Sequence, residues 1–381
     1  MSFTDALGLL FSLQKPLLLP YNATIGTKNP SKSKIVNVLL KILYWIPLTL
    51  FLSIFVTEIS LTNFYFDFTI PLFRGDESYI INIVLFIGAL SPRIAVILMM
   101  CTNLKNRQTF LQLLKEIEML ENRLKPFSFK RKIKFFSKSN IQALLIIILI
   151  CVLCFPSLIN WMGNNYNTKV LIFEINGINV AFATYLMVFY YINFFSEITK
   201  IISFIILLNK TDRTFQVLKR ISIAKDFIRI IPLMNCVLGQ SILLHIIQYI
   251  FFCAMILYYY CWLLVDNDLR EHISVALTWA AFSVSIFLMI FLIYRGGNKL
   301  ERKIQQLLDG HRYILCSFED ANQPKSFKFN KEQFQLWRFH IETRLLAGTS
   351  VAINYKGYYK VLSFIVIYFV VVVQFKQMTI N

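Results

Sequence analysis

The sequence predicts an all-α membrane protein with seven transmembrane helices, and three observations support this fold class. Hydrophobic residues make up 57% of the 381 residues and charged residues only 16%, whereas soluble domains carry about 25% charged residues. Seven separate stretches are apolar over roughly the 20 residues that a helix needs to cross a bilayer. Segments rich and poor in Lys and Arg alternate between these stretches. Together the three observations argue against soluble domains and favour one membrane-embedded unit.

The seven apolar runs qualify, or nearly qualify, as membrane-spanning helices by length. In chain order they cover residues 35–56, 79–100, 141–161, 178–208, 237–264, 273–294 and 358–375. The fourth and fifth runs are longer than a bilayer requires. We therefore expect these two helices to protrude from the membrane.

The distribution of Lys and Arg predicts the orientation of the chain. The segment before the first span and every second loop after it carry 4, 10, 6 and 10 basic residues, the last count ending at Arg344 and leaving out Lys356 at the next membrane entry, whereas the other three loops carry one each. Because cytoplasmic loops are enriched in Lys and Arg, the N-terminus is predicted inside and the C-terminus outside. This orientation is opposite to that of a G-protein-coupled receptor. It also accounts for the formal charge of +18 without a nucleic-acid partner.

The basic segments contain amphipathic stretches that predict helices outside the bilayer. Three stretches, 110–124, 298–308 and 331–346, place their apolar residues on one helical face. We expect membrane helices to continue into the cytosol and to pack together through these faces. The alternative is that the stretches lie flat on the inner leaflet. The predicted organisation is a cytoplasmic segment 1–34, a ligand-binding bundle of spans one to six at 35–294, cytoplasmic anchor helices at 295–357, and a last span with a short extracellular tail at 358–381.

The ionisable residues do not form an enzyme or metal site. The four histidines lie in different segments, and neither H-E-x-x-H, G-x-S-x-G nor a P-loop is present. We therefore expect no catalytic residues, no metal and no cofactor. Inside the spans, Arg93 either pairs with an acid or extends to the interface. Glu197 and Lys200 are predicted to form an ion pair within one helix. His245 is expected to hydrogen-bond to a neighbouring helix rather than to sense protons.

The predicted outer halves of the spans are rich in aromatic residues with polar tips, which is typical of a small-molecule cleft between helices. For Trp161 and Trp262 a place in the aromatic belt at the membrane interface is an equally good explanation. Tyr185 and Trp279 should lie deeper. The candidate ligand-binding residues are Trp161, Tyr185, Tyr190, Tyr258, Trp262, Thr278 and Trp279.

The last span, within "SFIVIYFVVVVQFKQMTIN", has one apolar edge that ends in an amide. Residues seven apart nearly superimpose on a helix, so Ile367 and Gln374 share a face, with Val370 and Val371 between them. Tyr368 and Phe375 share the neighbouring face. In a monomer this edge would simply pack. In a ring of identical subunits it could line a pore, where apolar constrictions gate by dewetting and a polar ring tolerates a partly hydrated ion.

The sequence at this point resembles the insect gustatory receptor family. Its signature in the last membrane helix is Thr-Tyr, five apolar residues and Gln-Phe, and "IYFVVVVQF" matches it at Tyr368, Gln374 and Phe375, with Ile367 in place of the threonine. The preceding "LLAGTSVAINYKGYYKVLSF", which contains the small pair Ala347 and Gly348, also looks like this family. The motif covers nine residues, and the seven spans, the predicted topology and the chain length extend the resemblance over the whole chain.

The resemblance implies a tastant-gated, non-selective cation channel in the plasma membrane of chemosensory neurons. It would act as a homotetramer or as a heteromer with related subunits, and would bind bitter or other small organic compounds. Its implied pore and gate residues are Ile367, Val371, Gln374 and Phe375, with Tyr368 supporting the helix from behind. The alternatives are an odorant-receptor-type channel subunit, or a seven-helix receptor or transporter that signals through a partner.

Overall fold

The computed structural model describes residues 79–127, 168–211, 217–265, 273–317 and 344–380. The predicted segment 1–34, the first and third predicted spans and most of the amphipathic stretch at 331–346 lie outside these ranges. The described elements are α1 (Tyr79–Lys105), α2 (Arg107–Leu124), a 3₁₀ turn (Lys125–Phe127), α3 (Thr168–Thr211), α4 (Val217–Val265), α5 (Ile273–Ser317), β1 (Leu346–Ala347), β2 (Val351–Ala352) and α6 (Tyr355–Ile380).

The five predicted spans that fall within the described ranges are helical. They correspond to α1, α3, α4, α5 and α6. By length and composition, two described stretches are long and apolar enough to cross a membrane, namely Val180–Leu208 in α3 and Ser222–Leu257 in α4.

Three of the helices are much longer than one membrane crossing. α3 has 44 residues, α4 has 49 and α5 has 45. A rise of 1.5 Å per residue gives each about twice the roughly 30 Å of the hydrocarbon core. The expected protrusion of α3 and α4 is therefore confirmed, and α5 shares it. α4 begins about 20 residues before its predicted span, so most of the basic segment 209–236 is helix rather than loop.

The amphipathic faces of α2 and of the end of α5 pack inside the protein. The buried apolar residues of α2 are Phe110, Leu113, Leu114, Ile117, Leu120 and Leu124, and those of α5 are Leu300, Ile304, Leu307 and Leu308. α2 contacts α4. The alternative in which these two stretches lie flat on a leaflet is therefore wrong.

α4 lies at the centre of the described helices. It contacts α1, α2, α5, α6 and β1, whereas α3 packs mainly against α5. Buried residues such as Ile231, Leu238, Ile242 and Ile246 follow α4 through the core. Any displacement of α4 would thus be felt by most of the described elements.

A short antiparallel hairpin precedes α6, where the sequence predicted only anchor helix. Leu346 pairs with Ala352 and Ala347 with Val351, and Gly348 in the turn has φ +63°. Glycine favours this left-handed conformation because it has no Cβ to clash. Leu345, expected on the helical face of 331–346, is buried but lies outside any helix. The helical interpretation of residues 344–354 is therefore wrong.

Candidate functional site

α6 leaves one face uncovered by the described chain. Ile367 is 59% exposed and Val371 is 40% exposed, and Gln374 is exposed as well. Exposed residues recur at spacings of three and four along the helix, which places them on one side. The other members of this face are Tyr359, Ser363, Val366 and Val370. Gln374, Ile367 and Ser363 lie near its centre. We call this surface the uncovered α6 face.

The opposite face of α6 packs on α4 and α5. Val361 and Ile365 are buried there. The Tyr368 ring meets the Phe251 ring of α4 edge-on, with centroids 5.6 Å apart. Tyr358 contacts Phe291 and Tyr294 of α5 at 5.8 and 5.7 Å. Tyr368 therefore lies behind the uncovered α6 face, where a supporting residue would need to be, and its role as a support stays a prediction.

An aromatic cluster joins α3 and α4 in the interior. It consists of Tyr190, Tyr191 and Phe194 on α3 and His245 and Tyr249 on α4, all almost completely buried. The Tyr191 and His245 rings meet edge-on at 5.8 Å, and the His245 and Tyr249 rings stack at 6.0 Å. Tyr190 contacts Tyr191 at 6.1 Å and Phe194 at 5.8 Å. We call these five residues the aromatic–histidine cluster.

Several polar atoms at this cluster have no hydrogen-bond partner among the described residues. They are the hydroxyls of Tyr190 and Tyr249, both ring nitrogens of His245, and Oε1 of Gln248, one turn from His245 on α4. Among the described residues, His245 makes aromatic contacts across to α3, and the expected hydrogen bond to a neighbouring helix stays a prediction. Buried polar groups are normally hydrogen-bonded, and exceptions often mark functional positions. The cluster thus combines flat apolar surfaces with buried polar atoms that have no hydrogen-bond partner in the described part of the chain.

Hydrogen bonds join the end of α1 and the start of α2 to the part of α4 that precedes His245 in the sequence. Ser241 Oγ donates to Asn103 Oδ1 at 3.2 Å in the buried interior. Asn106, at the break between α1 and α2, donates Nδ2 to the Cys236 carbonyl at 3.2 Å and to Gln240 Oε1 at 3.3 Å. The polar side chains of α4 in these bonds, Gln240 and Ser241, form a polar stripe along α4 together with His245 and Gln248.

The structure accounts for the predicted ionisable and site residues as far as it describes them. The ion pair between Glu197 and Lys200 is confirmed, and Arg93 is buried. Tyr185 and Tyr190 are buried on α3, and Tyr190 joins the aromatic–histidine cluster. Trp161 lies outside the described residues. For five further residues the structure describes only the backbone, which is helical. They are Tyr258 and Trp262 on α4, Thr278 and Trp279 on α5, and Phe375 on α6.

His245, Gln248 and Tyr249 are not among the ligand-binding residues that the sequence predicts. A signal for them is present: Ser241, His245, Gln248 and Tyr249 recur every three or four residues in an apolar span. Polar residues with this spacing lie on one helical face, and polar groups at membrane depth usually face protein.

Comparison with known proteins identifies the family. A family model described as 7tm Chemosensory receptor matches residues 17–379. The chain belongs to this chemosensory receptor family. The resemblance based on the last span is thereby confirmed at the level of the family, and the chain is a multi-pass membrane receptor rather than an enzyme.

Solved structures of related shape agree with this fold. The receptor is similar to the insect olfactory receptor OR5 from Machilis hrabei in complex with eugenol, with a TM-score of 0.58 and 13% identity, covering 98% of this chain and 97% of the other. It is also similar to a second structure of OR5 from Machilis hrabei, with a TM-score of 0.51, 12% identity and the same coverage of both chains. At this identity the likeness concerns the fold. None of the curated proteins compared with the receptor matches it.

Proposed function

We propose that this chemosensory receptor is a gustatory receptor that acts as a tastant-gated, non-selective cation channel. The observation that carries the proposal is the uncovered α6 face, with apolar Ile367 and Val371 followed by the amide of Gln374. α6 is held from behind by α4 and α5, and no other part of the described chain covers this face. Several copies arranged around an axis would bring these faces together as the lining of a pore.

In the proposed channel, Ile367 and Val371 form the apolar constriction, and Gln374 and Phe375 stand at the gate. Stacked aliphatic rings exclude water when the pore is narrow, and a ring of amides can interact with a partly hydrated cation. Tyr368 holds the helix against Phe251 of α4. A small outward movement of α6 would then be enough to wet the constriction.

The ligand is proposed to bind within the helical bundle, at or beside the aromatic–histidine cluster. The aromatic rings offer stacking surfaces, and the hydroxyls of Tyr190 and Tyr249 and the nitrogens of His245 offer hydrogen bonds. Such a lining suits a small organic compound with an apolar body and one or two polar groups. A ligand that binds the open arrangement more tightly than the closed one shifts the population toward the open channel. Tyr185, Trp161, Tyr258, Trp262, Thr278 and Trp279 remain proposed pocket residues.

The proposed assembly is a homotetramer, or a heteromer with related subunits, in the plasma membrane of chemosensory neurons. The alternation of basic segments supports an N-terminus inside and a C-terminus outside. The proposed organisation is a cytoplasmic segment at 1–34, the ligand-binding bundle at 35–294, the anchor region at 295–357 and the pore-lining helix with its tail at 358–381. α2 and the end of α5 would then pack on the cytoplasmic side.

Electrophysiology in cells that express only this receptor tests the proposal. Calcium imaging and patch clamp would be run with sugars, alkaloids, amino acids and eugenol, with and without a G-protein inhibitor. Ligand-evoked cation current that survives the inhibitor supports an autonomous channel. A response that disappears with the inhibitor contradicts it and favours a receptor that signals through a partner.

The likeness to an olfactory receptor favours one second candidate, a subunit of an odorant-receptor-type channel. The two candidates share the pore argument and differ in ligand and partner. Current evoked by volatile compounds only after a related subunit is co-expressed would favour the odorant type. Current evoked by non-volatile tastants from this chain alone favours the gustatory type.

A further inference from the structure

We propose that residues 344–354, here called the hairpin junction, position α6 for gating by fastening its first turn to α4 and α5. Asn235 on α4, Glu301 on α5 and Asn354 before α6 are the positioning residues. The inference rests on the proposed channel function, because it assigns to these residues the transmission of helix movement to the pore. It concerns positions outside the signature of the last span.

On the α4 side, one side chain holds the entry to the hairpin. Asn235 Nδ2 donates to the Arg344 carbonyl at 2.9 Å, and Asn235 Oδ1 accepts from the Leu346 amide at 3.1 Å. Asn235 thereby satisfies two backbone groups, as a neighbouring strand would. One turn further along α4, the Gly348 amide donates to the Gly239 carbonyl at 2.8 Å. The hairpin thus follows α4 wherever α4 moves.

Glycines allow the hairpin junction to approach both helices at backbone distance. A Cβ at Gly239 would lie 2.4 Å from the Leu346 carbonyl oxygen, and a Cβ at Gly297 of α5 would lie 2.3 Å from that of Ile353. Carbon atoms cannot come this close to backbone oxygen without displacing it. A residue larger than glycine at position 239 or 297 would therefore displace the hairpin from its helix.

On the α5 side, Asn354 joins the start of α6 to α5. Its Oδ1 accepts from the Gly357 amide at 3.1 Å, which caps the first turn of α6. Its Nδ2 donates to Glu301 Oε2 at 3.0 Å, and Glu301 is almost fully buried on α5. The residue that starts α6 is thus also hydrogen-bonded to α5.

These contacts divide α6 into a fixed end and a free edge. Residues 354–358 move with α4 and α5, whereas the face that carries Ile367, Val371 and Gln374 has no covering contact from the described chain. A rotation of α4 or α5 on ligand binding would be passed to α6 at its first turn and enlarged toward Gln374. The hairpin junction is thus one place where movement of the bundle reaches the proposed pore helix, in addition to the contact between Tyr368 and Phe251.

Adjacent glycines of α5 provide a matched pair of substitutions. Gly297→Ala forces the hairpin away, whereas Gly296→Ala places its Cβ at an ordinary 3.4 Å from the Phe195 ring. Both changes replace a helical glycine by alanine and therefore raise helix propensity by the same amount. Gly239→Ala repeats the test from α4. Each variant of the full-length receptor is measured for ligand-free current per surface copy, and for the distance between spin labels at Leu288→Cys and Val371→Cys in a background without other cysteines.

We expect Gly297→Ala and Gly239→Ala to change ligand-free current per surface copy severalfold. The same two variants should shift or broaden the distance between the spin labels. Gly296→Ala should leave the current and the distance unchanged. A Gly297→Ala receptor that matches Gly296→Ala in both measurements overturns the inference. If the unsubstituted receptor passes no current while the label distance still shifts only in the two clashing variants, the channel proposal fails and the positioning of α6 stands.

Asn354→Ala and Glu301→Gln cover the case in which the clashing variants do not reach the cell surface. They weaken the contact between α5 and α6 without adding atoms. The same severalfold change in current and shift in distance is expected for Asn354→Ala, and a smaller one for Glu301→Gln, which keeps an acceptor. Normal surface expression with both readings unchanged in Asn354→Ala overturns the inference.

Discussion

α4 and α6 are built from the same kinds of apolar residues but are packed in different ways. Ile242 and Ile246 on α4 are buried on a helix with neighbours on several sides, whereas Ile367 on α6 is 59% exposed. In a membrane, lipid solvates exposed apolar residues at little cost, so hydrophobicity alone does not select which helix becomes the core. The difference lies in the neighbours: within the described chain, α4 has packing partners on several sides, whereas one face of α6 has none.

The two helices also place their polar residues in opposite ways. α4 turns Ser241, His245 and Gln248 into the interior, where some of their atoms remain without partners in the described part of the chain. α6 keeps its interior face apolar and shows Ser363 and Gln374 outward. Polar groups at membrane depth are costly unless they face protein or water. The proposed function would use the interior of α4 for recognition and the exterior of α6 for permeation.

The largest predicted difference concerns two phenylalanines. Phe227 on α4 is fully buried, whereas Phe364 on α6 is 60% exposed. Phe227→Ala removes a buried ring and should cost about 3–5 kcal/mol of stability through lost contacts and a cavity. We expect Phe364→Ala to leave the melting temperature of the purified receptor close to that of the unsubstituted protein and Phe227→Ala to lower it strongly. Equal losses would contradict the comparison and would show that other copies cover Phe364.

The second prediction concerns Gln374 at the centre of the uncovered α6 face. Gln374→Ala removes an amide that no described contact buries, so stability should not change. Ligand-free current or unitary conductance should change severalfold. A severalfold change in current that comes from channel opening corresponds to about 1 kcal/mol in gating free energy. Patch clamp on cells matched for surface expression measures this, with Phe364→Ala as the control on the same helix. Unchanged leak and conductance would remove Gln374 from the gate.

These residues also show how far the sequence leads. The face shared by Ile367 and Gln374 follows from helical spacing alone, and the protrusion of α3 and α4 follows from the length of their apolar runs. Both depend on local regularity, which a sequence displays directly. The candidate ligand-binding residues depend on helix packing, and among those described only Tyr190 enters the cluster that we name.

The hairpin junction could not be predicted, for an identifiable physical reason. Its strands have two residues each, and their pairing depends on Asn235, Gly239 and Gly297, which lie far away in the sequence. Such contacts leave no periodic pattern near residue 346, and strand formation depends strongly on its surroundings. The contact between His245 and Tyr191 could not be predicted for a similar reason, because Tyr191 belongs to another helix.

A smaller effect of opposite sign is expected inside the aromatic–histidine cluster. Tyr249→Phe removes a buried hydroxyl without a partner among the described residues, so stability should stay constant or rise by up to about 1 kcal/mol. Ser241→Ala is the control, because it removes a hydrogen bond to Asn103 and should cost about 1 kcal/mol. Thermal unfolding of both variants measures the difference. A Tyr249→Phe receptor that is clearly destabilised would indicate a hydrogen bond made in the assembled receptor.

The smallest effect should come from Lys200, whose side chain is 64% exposed and pairs with Glu197 within α3. Lys200→Met should cost no more than about 0.5 kcal/mol, because solvent screens such a pair and ordering the side chain costs entropy. Lys303→Met is the matched control, since Lys303 bonds Gln306 with the same spacing on α5 but without an opposite charge. Glu197 is only 10% exposed at its side chain, so a loss well above that of the control would mean that its charge is held at membrane depth. Equal small losses in the two variants would place the pair at an interface that water reaches, as the predicted inner end of α3 requires.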